Sequence, residues 1–312
     1  MNMKGIIWRI IYVFKSVYRS LTSTVFDWGS MLFFLCVGSL RNRFFGEYFL
    51  IHRFFKKFPI GSITKTETEI CIVIRGLTFY APLHGLEQGD FFDIIVPYLV
   101  SIEKEGDVFE KYYHINFGDF FDGPYITSLE MLRNGDYVID AGCNIGLFSV
   151  VAAKLTGPSG KVFAFDPIAE VLSYAQRNVH VNDLQNVQFI SQALGEKDTD
   201  ISMSIDLADS FEGSSKYIRR SGVTRTIIQT KLDSFVSSYA IERIDFIKAD
   251  IEGAENDLLL GSKSVIQKFL PTLAIRTYHF PHDYNVISST IHDLVPTYTV
   301  SSFRKNTIYA HI

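Results

Sequence analysis

The chain has 312 residues, 47% of them hydrophobic and 21% charged, so a globular protein with one large or two modest cores is expected. Its net charge of -4 hides an uneven split: residues 1–60 hold nine bases against Asp27 and Glu47, giving +7, while the rest carries 21 bases and 32 acids, giving −11. Three cysteines, Cys36, Cys71 and Cys143, form an odd and unpatterned set, which excludes a disulfide framework or a cysteine zinc site and points to a reducing cytosol.

Residues 1–60 read as a basic, apolar helical extension. Ile6, Ile7, Ile10, Ile11, Phe14, Val17, Tyr18 and Leu21 recur at helical spacing, with Arg9, Lys15 and Arg19 on the other side. The runs Met31 to Val37 and Phe44 to Phe55 are shorter than the roughly 20 apolar residues that a bilayer span needs, and no small-residue cleavage site follows the first stripe. The positive charge favours an interfacial anchor on an anionic membrane. A helical subdomain packing on the rest of the chain, or a homodimer interface, stays open as the alternative. The expected location is the cytoplasm, peripheral on the cytoplasmic membrane face.

Residues 61–125 read as an α+β connector. Glu69 to Ile74 and Leu77 to Ala81 flank Arg75-Gly76 as a hairpin, a helix is expected around Phe91 to Ile102, and residues 103–124 are expected to form a wall or lid.

The most informative stretch follows. Tyr137 to Ile139 is a short apolar strand ending at Asp140, succeeded by a turn holding Gly142 and Gly146 and by the apolar start of a helix. Glycines in such a turn let a ligand approach the backbone beside free helix N–H groups. The spacing Asp-x-Gly-x-x-x-Gly is not that of a pyrophosphate binder, and its acid suits a ligand with an amino group or a sulfonium, which favours S-adenosylmethionine over a dinucleotide. The bland alternative is a corner whose glycines serve packing. Lys161 to Phe165 reads as a second buried strand ending in Asp166-Pro167, where Asp166 can accept from ribose hydroxyls or merely cap the next helix.

Beyond it, a helix through Val171 to Val181 leads to a strand at Val187 to Ile190, closed by Gln192-Ala193-Leu194-Gly195. Ile244 to Lys248 and Pro271 to Tyr278 are further buried runs, and Tyr298 to Phe303 with Thr307 to Ile312 form a closing hairpin. Such alternation predicts a parallel sheet covered by helices on both faces, with an antiparallel strand inserted by the hairpin.

Four strings together resemble the FkbM-type S-adenosylmethionine-dependent methyltransferases: Val-Ile-Asp-Ala-Gly-Cys-Asn-Ile-Gly-Leu-Phe-Ser (138–149), Phe-Asp-Pro (165–167), Asp-Phe-Ile-Lys-Ala-Asp-Ile-Glu-Gly-Ala-Glu (245–255) and Tyr-His (278–279). The resemblance covers about residues 117–312. It departs from the family's pattern at Cys143, where a small Ala or Gly is usual, and at Asp166, where Glu is commoner. It implies an α/β, class I methyltransferase (Rossmann-like) domain over residues 126–312, doubly wound, with a mostly parallel sheet and a terminal antiparallel hairpin. It also implies O-methylation of a hydroxyl, commonly on a sugar of a glycan or on a secondary metabolite. The cofactor-binding residues expected are Asp140, Gly142, Asn144, Gly146, Asp166, Gln192 and Ala193.

Methyl transfer from a sulfonium is an in-line displacement onto a weak nucleophile, so a positioned base is expected at the carboxyl ends of the strands. His279 is the candidate base, with Asp250 orienting acceptor or cofactor. A divalent metal held by Asp250, Glu252 and Glu255 is the main mechanistic alternative, although no metal is expected, and His279-x-x-His282-Asp283 has no zinc spacing. The expected partner is a small-molecule or glycan hydroxyl acceptor, with no nucleic acid. An NAD-linked Rossmann oxidoreductase and a noncatalytic membrane-associated binding module are the competing functions.

Overall fold

The computed structural model describes residues 61–74, 76–82, 131–205, 217, 223–303 and 306–312. The amino-terminal extension, the helix expected at 91–102 and the lid expected at 103–124 lie outside the described residues.

Three antiparallel strands come first: β1 (Gly61–Lys65), β2 (Glu69–Ile74) and β3 (Leu77–Pro82). The expected hairpin is therefore present, and β1 extends it into a small sheet. A larger unit follows in the order β4 (Tyr137–Ala141), α1 (Leu147–Thr156), β5 (Lys161–Phe165), α2 (Ala169–Val181), β6 (Val187–Ile190), β7 (Ala193–Leu194), β8 (Thr199–Ile205), β9 (Val223–Thr230) and α3 (Leu232–Ser238). It continues with β10 (Phe246–Ala249), α4 (Glu255–Gly261), α5 (Lys263–Phe269), β11 (Thr272–Arg276), α6 (Asp283–Leu294), β12 (Thr299–Phe303) and β13 (Thr307–His311).

Seven of these strands form one sheet in the order β12-β13-β11-β10-β4-β5-β6. The pairs around β4 and β10 are parallel, and β13 enters antiparallel between β11 and β12. The chain moves outward from β4 through β5 to β6 and then crosses back to β10 on the other side. The crevice at the carboxyl ends of β4 and β10 is thus the topological switch point where such sheets bind ligands.

Period-two alternation divides the core between the two faces of this sheet. Val138 and Phe246 pack with α1 side chains such as Phe148 and Val151. Their neighbours Ile139 and Ile247 pack with Phe235, Leu258, Ile266 and Ile287 of the helices opposite. Strands buried on both sides explain why they read as continuous apolar runs in the sequence.

Two readings need correction. Ala193 and Leu194 do not close β6: they form β7, which pairs in parallel with β9 in a separate three-stranded sheet completed by β8. The buried run at Ile244 becomes strand only from Phe246, because Asp245 first accepts the Tyr137 N–H at 2.7 Å and so turns its side chain to the adjacent strand.

The small amino-terminal sheet docks on α2 through a pair of amides one helical turn apart. Asn178 Oδ1 accepts from Tyr80 N at 2.6 Å while its Nδ2 donates to Tyr80 O at 2.9 Å and to Ile145 O at 2.8 Å. Asn182 repeats the pattern on Thr78, accepting at 2.7 Å and donating at 2.7 Å.

Candidate active site

The loop after β4 is shaped by its glycines. Gly142 lies at φ +74, and a Cβ there would sit 2.0 Å from the carbonyl oxygen of Asp250; Gly146 lies at φ +81, where a Cβ would meet Ala175 at 2.9 Å. Both positions therefore need glycine for close approach to protein as well as for backbone angle. Loop and Asp250 are in direct contact, which joins the ends of β4 and β10. Asn144 also takes a left-handed conformation, at φ 48.

Asp140 is fully buried beneath this loop. Its Oδ2 accepts from Ser149 Oγ at 2.6 Å and its Oδ1 lies 2.9 Å from Lys248 Nζ. Lys248 also donates to the Gly142 carbonyl at 2.7 Å. Burial alone would lower the Lys248 pKa, but Asp140 and Asp250 outweigh it and raise it, so the ammonium is held charged. Asp140 thus faces Ser149 and Lys248, a partnership the sequence reading did not contain. The only sequence signal for it is Lys248 itself, a base in the middle of a buried strand.

Asp166, at the end of β5, accepts from Asn144 N at 3.1 Å and from Ile168 N at 3.0 Å. The second bond closes a turn onto Ile168, the residue before α2, which itself has no side-chain cap, and the first ties the tips of β4 and β5 together. Burial pushes its carboxyl up to about 6, against the opposing pull of those two N–H groups. Close by, Asn144 Oδ1 is buried without a hydrogen-bond partner, and the α1 amino terminus has no side-chain cap. An orphaned acceptor beside uncapped N–H groups fits a ligand carrying both donors and acceptors. Gln192, half-buried, lies in the bend after β6, and Ala193 begins β7.

A second cluster occupies the ends of β10 and β11. The His279 side chain is only 3% exposed, and its ring faces three carboxylates: Nε2 lies 3.5 Å from Asp250 Oδ1 and 3.8 Å from Glu252 Oε1, and Nδ1 lies 3.3 Å from Glu255 Oε1. Neither ring nitrogen has a hydrogen bond of acceptable geometry. Burial would depress the ring's pKa, but Glu252, Glu255 and Asp250 outweigh it and push it up to about 10. The three carboxylates thus favour the protonated form of the ring singled out as a base. Glu255, 1% exposed, has its own carboxyl raised by burial and accepts the Ile251 N–H at 2.7 Å. Arg276 Nε lies 3.4 Å from the far oxygen of Asp250.

Glu252 adopts φ 55, rare for a non-glycine residue, followed by Gly253 at φ +95 against the Phe280 ring. Tyr278, Phe280 and Tyr217 expose aromatic surface around this cluster, and the Phe280 and Tyr217 rings meet edge to face at 6.3 Å. Cys143 is buried, and burial raises its thiol, so it packs as a small apolar residue.

A doubly wound sheet with a glycine loop at its switch point, an acid at the next strand tip and a closing antiparallel hairpin defines a class I methyltransferase, whose cofactor is S-adenosylmethionine. The model of the methyltransferase FkbM domain matches residues 140–303, more than half of the chain, and the chain belongs to that family.

Curated relatives agree at the level of methyl transfer. The chain is 26% identical over 144 residues to Methyltransferase 1 of Beauveria bassiana, covering 40% of this chain and 57% of that protein. It is 25% identical over 157 residues to 2-O-methyltransferase NoeI of Sinorhizobium fredii, covering 45% of this chain and 63% of the relative. The chain thus spans rather less than two thirds of either relative. Among solved structures, the methyltransferase FkbM of Methylobacillus flagellatus aligns with 72% of this chain and 60% of its own at 19% identity, with a TM-score of 0.43. No helix among the described residues is long and apolar enough to cross a membrane.

Proposed function

We propose that this enzyme is an O-methyltransferase whose acceptor is a hydroxyl of a sugar or glycan. The observation that carries the reading is the contact between the two halves of the site, because Gly142 of the cofactor loop packs directly on Asp250 of the acid–histidine cluster. S-adenosylmethionine, when bound, supplies the electrophilic methyl group.

The chain's own residues do the rest. Lys248 and Asp140 hold the glycine loop from below. Asp166 keeps lone pairs beyond its two backbone bonds to accept ribose hydroxyls, Asn144 Oδ1 takes another donor of the cofactor, and Gln192 and Ala193 flank the base. At the acceptor, Asp250 and His279 orient the hydroxyl, and the carboxylates around the ring receive its proton while the buried surroundings exclude water.

Support for a sugar comes from the exposed Tyr278, Phe280 and Tyr217 next to acidic groups, since aromatic faces cover the apolar faces of a sugar ring while carboxylates take its hydroxyls. The 2-O-methyltransferase relative is consistent with transfer to an oxygen. The basic extension of residues 1–60 is proposed to hold the enzyme at an anionic membrane surface, near membrane-linked glycans.

The test is a labelled methyl-transfer screen of the full chain against cell glycans, lipids and small metabolites, with the membrane fraction included. Label appearing as base-stable O-methyl sugar supports the reading. Label found only on nitrogen, carbon or protein carboxyl groups overturns it.

A further inference from the structure

We infer that Asp250, Glu255 and His279 form a divalent-cation site that binds the acceptor hydroxyl. One ligand atom from each, two carboxylate oxygens and a ring nitrogen, lie within 4.8 Å of one another. An acidic cluster by itself is no site. Here the buried ring is the independent sign: its side chain is 3% exposed, it is aimed at the carboxylates, and neither nitrogen is satisfied by a hydrogen bond. Buried polar groups left without partners are rare and call for an explanation, and an ion is one.

The surroundings fit. Glu255 Oε1 accepts the Ile251 N–H at 2.7 Å and is the oxygen 3.3 Å from His279 Nδ1, while Asp250 meets Arg276 through Oδ2 and the Tyr278 hydroxyl through Oδ1, the oxygen 3.5 Å from His279 Nε2. Second contacts of this kind orient metal ligands. Two oxygens and one nitrogen suit Mn2+ or Mg2+, with the remaining positions left to water and the acceptor.

The inference rests on the proposed O-methyl transfer and gives it a Lewis acid. The acceptor oxygen binds the cation and its O–H bond breaks, the proton passing to Glu252 and on to water. The oxygen then forms the new C–O bond as the methyl–sulfur bond breaks, the electron pair of that bond stays on sulfur, and the sulfonium leaves as a neutral thioether.

Mn2+ alone is the probe, titrated into the metal-stripped full chain and followed by the paramagnetic resonance of free Mn2+. The expected result is one saturable site per chain, weakened about tenfold or more by Glu255→Gln and by His279→Ala. Because Glu255 is buried in the core, Asp250→Asn, at a more exposed position, is tested beside it, and thermal unfolding checks each variant. No saturable binding to the unsubstituted chain, or unchanged binding in folded variants, overturns the site. Methyl transfer to a hydroxyl that persists under excess chelator overturns the cation's role and leaves the O-methyltransferase reading standing. Mn2+ binding without transfer to any hydroxyl sinks that reading and leaves the site.

Discussion

Lys248 Nζ lies 2.9 Å from Asp140 Oδ1 in the core of the sheet and donates to the Gly142 carbonyl, so one buried cation fastens the cofactor loop to the neighbouring strand. With exposures of 5% and 0% for the two side chains, neither charge has water to fall back on. Breaking such a pair from one side costs about 3–5 kcal/mol, because the partner is left buried and uncompensated. Lys248→Met should lower unfolding stability by about that amount in a denaturant titration. Adding Asp140→Leu to it should restore part of the loss. An additive double variant would show that the two charges do not act as a pair.

Asp166 links cofactor affinity to pH. Its carboxyl is pushed up to about 6 by burial, above the ordinary 3.8. A raised carboxyl contributes stability that is complete below about 3.8 and is lost as pH rises through about 6. Ribose hydroxyls donate to the ionised form, so S-adenosylmethionine affinity should climb between about pH 5 and pH 7. Asp166→Asn should flatten that climb and cost about tenfold in affinity at neutral pH, as expected for a lost charge-assisted hydrogen bond of about 1.5–3 kcal/mol. Calorimetry at both pH values reads the two effects. Equal affinity in the variant would remove Asp166 from the ribose.

His279→Ala should lower turnover by about a hundredfold or more while S-adenosylmethionine affinity stays within a few-fold, the pattern of a group that acts on the acceptor in the transition state. Single-turnover kinetics with separate calorimetry distinguishes this from lost binding. If affinity falls in step with turnover, the ring belongs to the cofactor's half of the site.

Much of the sheet was legible because its strands are buried on both faces and so read as apolar runs punctuated by Gly and Asp. β4, β5 and β6 and the β12–β13 hairpin stand where periodicity and turn residues put them. The β8–β9 hairpin was not read. Its strands expose polar residues such as Thr199, Asp200, Thr224 and Thr226, and the alternation is diluted by Ser and Thr. At the site, residue types announced the two strand tips at Asp166 and Asp250. The crowding of three acids around His279 was hidden, because it depends on the left-handed turn at Glu252 and Gly253, which folds Glu255 back under the ring. The downward turn of Asp140 toward Lys248 likewise needs the β4–β10 register, which pairs those two residues across the sheet.

The basic extension gives a prediction about location. An interfacial helix held partly by charge should release as salt rises, because screening shortens electrostatic reach to about 8 Å near physiological ionic strength. The full chain should cosediment with anionic but not neutral vesicles, and a chain beginning at Gly61 should stay in the supernatant and still bind S-adenosylmethionine. Unfolding of the shortened chain, together with indifference of the full chain to lipid charge, would assign residues 1–60 to the core or to a dimer interface.

Asn178 and Asn182 do on α2 what a neighbouring strand would do, each offering one donor and one acceptor to the same residue of β3. A helix thereby seals an edge that could otherwise recruit a foreign strand. The seal is chemically narrow: aspartate has no donor, leucine neither function, and glutamine is a methylene too long. Sequence drift at these two positions is thus confined by hydrogen-bond parity, and a library that randomised them should return asparagine.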